Sequence, residues 1–146
     1  MSFQIDRRAV NRAIFAVAAA SLAPFSARSQ DTQPAQEIVG LEWLAETIRD
    51  FEVADRIAST LTISSDGKVA GSGGCNRYFG NATIDGETII FSELATTHMA
   101  CREEAMAQES AFLAALALVA SYSLEGGKLV LAGEDGQPIV TLTTSA

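Results

Sequence analysis

Four two-residue turn signals punctuate the chain between residues 66 and 136: Asp66-Gly67, Asp85-Gly86, Gly126-Gly127 and Asp135-Gly136. Glycine readily adopts the positive φ that tight hairpin connections demand. Parallel strands need crossovers of a dozen or more residues, so a chain that reverses this often folds into an antiparallel sheet. The flanking segments agree. Leu61 and Ile63 alternate with polar residues before the first turn, and Ile89 and Phe91 do so after the second. Tyr122 and Leu124, Leu129 and Leu131, then Ile139, Val140 and Leu142 continue the period of two around the last two turns, which predicts a C-terminal three-stranded meander.

One segment breaks this rhythm. Residues 103–118 are rich in Ala, Glu, Met and Leu and hold neither Gly nor Pro, which predicts a helix. Glu103 and Glu104 suit the positive end of its dipole. Ala105, Met106, Phe112, Leu113, Leu116 and Val119 form an apolar stripe that must face the sheet, with Gln108 and Glu109 off it. The chain contains no long internal repeat and no low-complexity tract.

The first 29 residues follow different chemistry. Arg7, Arg8 and Arg12 precede an apolar run over residues 13–25, and small residues follow, which is the order of a secretory signal peptide. The expected cut falls after Ser29, with Ala27 at position −3 and Gln30 as the first mature residue. About 13 apolar residues are too few to span roughly 30 Å of hydrocarbon, so a stable membrane anchor is not expected. The Arg7-Arg8 pair raises the twin-arginine route, but Ala9, Val10 and Asn11 fit that signal poorly. No cysteine near the cut offers a lipid-attachment site. The expected destination is periplasmic or secreted. Residues 30–37 are polar and lack periodicity, a lead-in to a domain spanning residues 38–146.

Charge narrows the partners. Removing residues 1–29 takes four of the ten basic residues and one of the eighteen acidic ones, so the net charge moves from −8 to −11. Nucleic acid and anionic membrane surfaces are recognised by clustered Lys and Arg, and neither is an expected partner.

Residues 72–79 (SGGCNRYF), continued by Gly80, resemble the signature of the META domain (HslJ-like, DUF306) family: a glycine-rich entry, then Cys, Asn, Arg and an aromatic pair. Residues 96–101 (TTHMAC) resemble that family's second signature, and the helix over residues 105–116 resembles the segment that follows it. With Trp43 near the start and the closing strands, the similarity covers residues 38–143. His98 and Arg102 depart from the pattern, which usually has Arg or Met at the first position and proline at the second. The resemblance implies an α+β fold in which an antiparallel β-sheet curls into a conical half-barrel or barrel, with one main α-helix packed on it. It also implies an exported protein of envelope maintenance and stress response, including heat shock.

The chemistry-bearing residues are few. Cys75 and Cys101 are the only cysteines, and an even pair in an exported chain favours a disulfide over two buried thiols on neighbouring strands. His98 is the only histidine. Zinc wants three or four His, Cys or carboxylate ligands, and no third stands at a suitable spacing, so no metal site is expected. Gly73 and Gly74 permit a tight turn presenting Asn76, Arg77 and Tyr78, with Arg77 bonded to carbonyls or a carboxylate and Phe79 entering the core. No nucleotide loop, GxSxG or HExxH motif occurs, and Glu103 and Glu104 point about 100° apart on a helix. The reading is a monomeric, non-enzymatic domain with no catalytic residue and no cofactor. Its partner is an envelope protein or an apolar ligand; a lipid-binding module and an inhibitor of an envelope hydrolase are the alternatives.

Overall fold

The computed structural model describes residues 34–145. The expected signal peptide lies outside the described residues. Helix α1 (Pro34–Ile38) is a single turn within the segment read as a lead-in. It is followed by β1 (Glu42–Ile48), β2 (Phe51–Glu52), β3 (Thr60–Ile63), β4 (Lys68–Ser72), β5 (Arg77–Asp85) and β6 (Thr88–Thr96). Helix α2 (Glu103–Leu118) leads to β7 (Ser121–Glu125), β8 (Lys128–Ala132) and β9 (Pro138–Thr144). The Ile38 carbonyl accepts the Trp43 indole N–H at 3.0 Å, which ties α1 to the sheet.

All nine strands form one antiparallel sheet in the order β2-β1-β3-β4-β5-β6-β7-β8-β9, and the additional β1–β9 pairing closes it into a ring. Strand β1 divides one edge between two partners, β3 along Glu42–Leu44 and β2 at Thr47 and Ile48. Its other edge carries β9. The ring is thinnest between β6 and β7, which pair only at Thr88↔Ser121. Helix α2, the connection between those two strands, packs on β6, β9 and β1. The fold is α+β, as expected.

Each turn signal sits at a hairpin, with Gly67, Gly86, Gly127 and Gly136 all at positive φ. Curvature has a local source in β5 and β6. Phe79 pairs with Ala95 and Asn81 with Ser92, so two residues of β6 face Gly80 alone and make a bulge. Glu93 sits there at φ 54, and a Cβ on Gly80 would come within 2.6 Å of the Leu94 side chain. A side chain at position 80 would push the two strands apart where the sheet bends.

The ring is filled. Tyr78, Phe112, Leu116, Leu61, Ile63, Ile89, Leu129, Leu131 and Leu142 are fully buried and belong to one apolar cluster. Phe112 meets the Tyr78 ring edge-on, with centroids 5.8 Å apart and planes at 71°. The inward stripe of α2 is Ala105, Glu109, Phe112, Ala115 and Leu116. This corrects the expected stripe at two positions: Met106 is 39% exposed, and Glu109 is 6% exposed. Glu109 lies four residues after Ala105 and three before Phe112, so helical geometry puts it on the buried face once its carboxylate finds partners there. No described helix is long and apolar enough to cross a membrane.

Candidate functional site

The glycine-rich signature forms the turn between β4 and β5, closed by the Gly73 N–H donating to the Asn76 carbonyl at 2.9 Å. The buried carboxylate of Glu109 occupies the mouth of this turn. Glu109 Oε2 accepts the Cys75 N–H at 2.9 Å and the Asn76 N–H, while Oε1 accepts Asn76 Nδ2 at 2.8 Å. The glycines make room for it: a Cβ on Gly73 would lie 2.6 Å from Glu109 Cγ, and one on Gly74 would lie 3.1 Å from the Ala105 carbonyl. The turn is small because a carboxylate from α2 must reach its backbone.

Asn76 is the hub. Its Oδ1 accepts the Met99 N–H at 2.6 Å and the Thr97 hydroxyl at 3.2 Å. Its Nδ2 donates to Glu109 and, at 3.3 Å, to the Met99 carbonyl. Two donor and two acceptor sites of one amide are therefore used, which no other side chain of this size can do. A disulfide joins Cys75 to Cys101, with Cα atoms 5.9 Å apart. The loop over residues 97–102 is thus held from the signature turn by a covalent bond and by an amide.

A second arm of the network comes from Gln108. Its Nε2 donates to the Ile57 carbonyl at 2.8 Å and to Ser59 Oγ at 2.9 Å, and its Oε1 accepts the Ala54 N–H at 3.2 Å. Ser59 in turn donates to the Gly73 carbonyl at 2.6 Å. Among the described residues no buried side-chain nitrogen or oxygen lacks a partner.

Two expectations for the signature need correction. Asn76 is buried rather than presented at a surface, and Tyr78, not Phe79, enters the core; Phe79 is 50% exposed. The Tyr78 hydroxyl finds the Thr60 carbonyl at 2.6 Å, which settles the phase of β5 in favour of the residue whose polar tip has a partner. Burial pushes that phenol well above its ordinary range. Arg77 points outward, and its carbonyl accepts the Thr97 N–H at 3.0 Å. Ser59 was not singled out in the sequence, and Gln108 and Glu109 were placed only as residues off the apolar stripe; the spacing 105-109-112-116 was the available signal for Glu109.

Burial raises the pKa of Glu109, but the Asn76 side chain and the two backbone donors pull it down further, so the net value lies below the ordinary 4.5. A depressed pKa stabilises the fold above the unfolded carboxylate range, and that contribution is lost as pH falls through the folded value. Glu109→Gln is expected to cost about 1 to 3 kcal/mol at neutral pH, because a neutral amide bonds the turn less well. The deficit should shrink as pH drops below 4.5. Urea unfolding at several pH values tests this; a deficit that stays constant down to the acid limit would mean the bonded form is not the carboxylate.

Beside this network lies a cleft of about 470 Å³, walled by Thr97, His98, Met99, Met106, Glu109 and Leu113. His98 and Met99 are exposed on the held loop. A separate groove of about 320 Å³ runs between β2 and the outer face of α2, past Phe51, Val53, Ala107 and Ala111. Among the described residues no group of three or more His, Cys, Asp or Glu is placed to hold a metal ion.

A nine-stranded sheet closed into a ring, one inward-packed helix and a glycine turn closed on a helix carboxylate define a small α+β domain whose two conspicuous loops are fastened to each other. The META domain profile matches residues 36–146, and the chain belongs to the META domain family. A protein from Burkholderia xenovorans, solved by NMR, aligns over 100% of this chain and 99% of its own, at 25% identity and a TM-score of 0.61. Another NMR structure aligns over 75% of this chain and 92% of its own, at 21% identity and a TM-score of 0.59. No curated protein matches the chain.

Proposed function

We propose that this META domain is an exported, non-enzymatic protein of the cell envelope that works by binding, through the cleft between the 97–102 loop and the first turns of α2. The observation that carries this reading is the fastening of an exposed loop. Asn76 and the Cys75–Cys101 bridge hold residues 97–101, while His98 and Met99 stay open to solvent. A loop ordered before it meets its ligand loses little conformational entropy on binding. The filled ring interior supports a working surface outside rather than a lipid container inside. A disulfide persists in oxidising compartments, in keeping with export and with the arginine-led apolar segment at the start of the sequence. The role in envelope stress comes from the family resemblance.

Two measurements test this reading. Cells lacking the protein are complemented under heat and envelope stress with either the wild type or Met99→Asp, which changes the loop without touching the core. The variant should accumulate and melt like wild type yet fail to rescue; full rescue would remove the cleft as the working surface. N-terminal sequencing of the exported protein should begin within a few residues of Gln30, and recovery of only the intact Met1 chain from the cytoplasm would overturn export.

A further inference from the structure

The cleft beside the fastened loop gathers an unusual set of side chains. The sequence has one histidine and three methionines, one of them Met1. His98, Met99 and Met106 all wall this single cleft, so the chain's one imidazole and both remaining thioethers border the same space. Met99 is 58% exposed and Met106 39%. Met106 follows the buried Ala105 by one residue, about 100° around α2, and so lies off the inward face.

Thioethers are soft, neutral ligands, and imidazole binds copper readily, so this trio selects a soft monovalent ion rather than Zn²⁺ or Mg²⁺. No free thiol or unengaged carboxylate competes in the cleft. Both thiols are consumed in the disulfide, and Glu109 has both oxygens engaged by N–H donors. No Lys or Arg lines the cleft, and the chain carries a net charge of −8, which favours a cation. The loop supplies His98 and Met99 and the helix supplies Met106, so the three groups come from two fastened elements.

We propose that the cleft binds one Cu(I) ion, or Ag(I) in its place, through the His98 imidazole and the Met99 and Met106 thioethers. The ion is bound and released in the same oxidation state, and no electron transfer is involved. This assignment rests on the reading of the cleft as the binding surface and names its ligand class.

Ag(I) is the probe of choice because it needs no reductant that would attack the disulfide. Titrating the purified, exported protein with Ag(I) should saturate at one equivalent, with the methyl resonances of Met99 and Met106 shifting together. Met99→Leu and Met106→Leu preserve shape, and His98→Ala removes the imidazole; each should weaken binding by about tenfold or more, since losing a ligand costs at least what losing an outer-shell partner does. Their melting temperatures should stay at the wild-type value. Anaerobic Cu(I) competition against a chromogenic chelator should give the same stoichiometry, and Zn(II) should not bind. Equal Ag(I) affinity in the triple variant, or methyl shifts at only one methionine, would overturn the site. If Ag(I) fails to bind while Met99→Asp still fails to rescue cells, the metal assignment falls and the binding cleft stands. If Ag(I) binds as described but Met99→Asp rescues fully, the reverse holds.

Discussion

Replacing Phe112 with alanine is expected to remove about 3 to 5 kcal/mol of stability, the range for deleting a buried aromatic ring from a core that does not collapse around the gap. Phe112 has no solvent exposure, and its neighbours on the inward stripe, Ala115 and Leu116, have none either. It also makes the edge-to-face contact with Tyr78, a pair worth about 0.5 to 1.5 kcal/mol beyond its area. Tyr78 is itself fixed by its bond to the Thr60 carbonyl, so it cannot tilt inward to fill the space. A domain of this size has about 5 to 15 kcal/mol in total, and each kilocalorie moves the midpoint by about 4 °C or more. A fall of more than about 10 °C in thermal melts is therefore the expected result. A variant that melts within a degree or two of wild type would show that α2 lids open space instead of packing on it, and would return the interior to consideration as a ligand cavity.

Loss of the disulfide comes next in size. Cys75 and Cys101 are separated by 26 residues, and opening a loop of that length returns about 3.5 kcal/mol of chain entropy to the unfolded state at 25 °C. The Cys75→Ala/Cys101→Ala double variant is expected to lose an amount of that order and still unfold cooperatively, because Glu109 and Asn76 continue to close the signature turn. The effect on the 97–102 loop should be larger than the global figure suggests. With the covalent anchor gone, the Asn76 bonds to Thr97 and Met99 and the Thr97 N–H bond to the Arg77 carbonyl hold it at its first residues, so amide exchange at His98 through Arg102 should quicken more than exchange in β5. Mass spectrometry without reductant should find no free thiol in the wild type; quantitative alkylation of both cysteines in native protein would contradict the bridge.

Much of the scaffold was legible from neighbours in the chain. The four glycine turns mark hairpins, the span of α2 coincides with the Ala- and Glu-rich segment, and Leu61, Ile63, Ile89 and Leu131 bury as their alternation requires. The site was legible only in part. Gly73, Gly74, Cys75 and Asn76 stand out in the sequence and do meet, but the group that organises them is a carboxylate assigned to the solvent side. Burying an ionised side chain is costly unless donors surround it, so its charge argued for the solvent side although its spacing fits the buried face. Its donors lie 33 and 34 residues earlier in the chain.

The phase of β5 has the same character. A strand with Tyr78 and Phe79 adjacent admits either face, and a one-residue shift exchanges them. The carbonyl of Thr60, brought alongside by the β3–β4–β5 pairing, selects tyrosine. Ring closure through β1 and β9 likewise joins strands about a hundred residues apart, such as Trp43 and Thr144. The sequence by itself determined the turns, the helix, the alternation and the availability of one cysteine pair, because these depend on backbone preference and side-chain period over a few residues. The tertiary structure decided which polar groups are buried and which thioethers are left exposed. Those outcomes depend on partners that only the closed sheet brings within hydrogen-bonding distance.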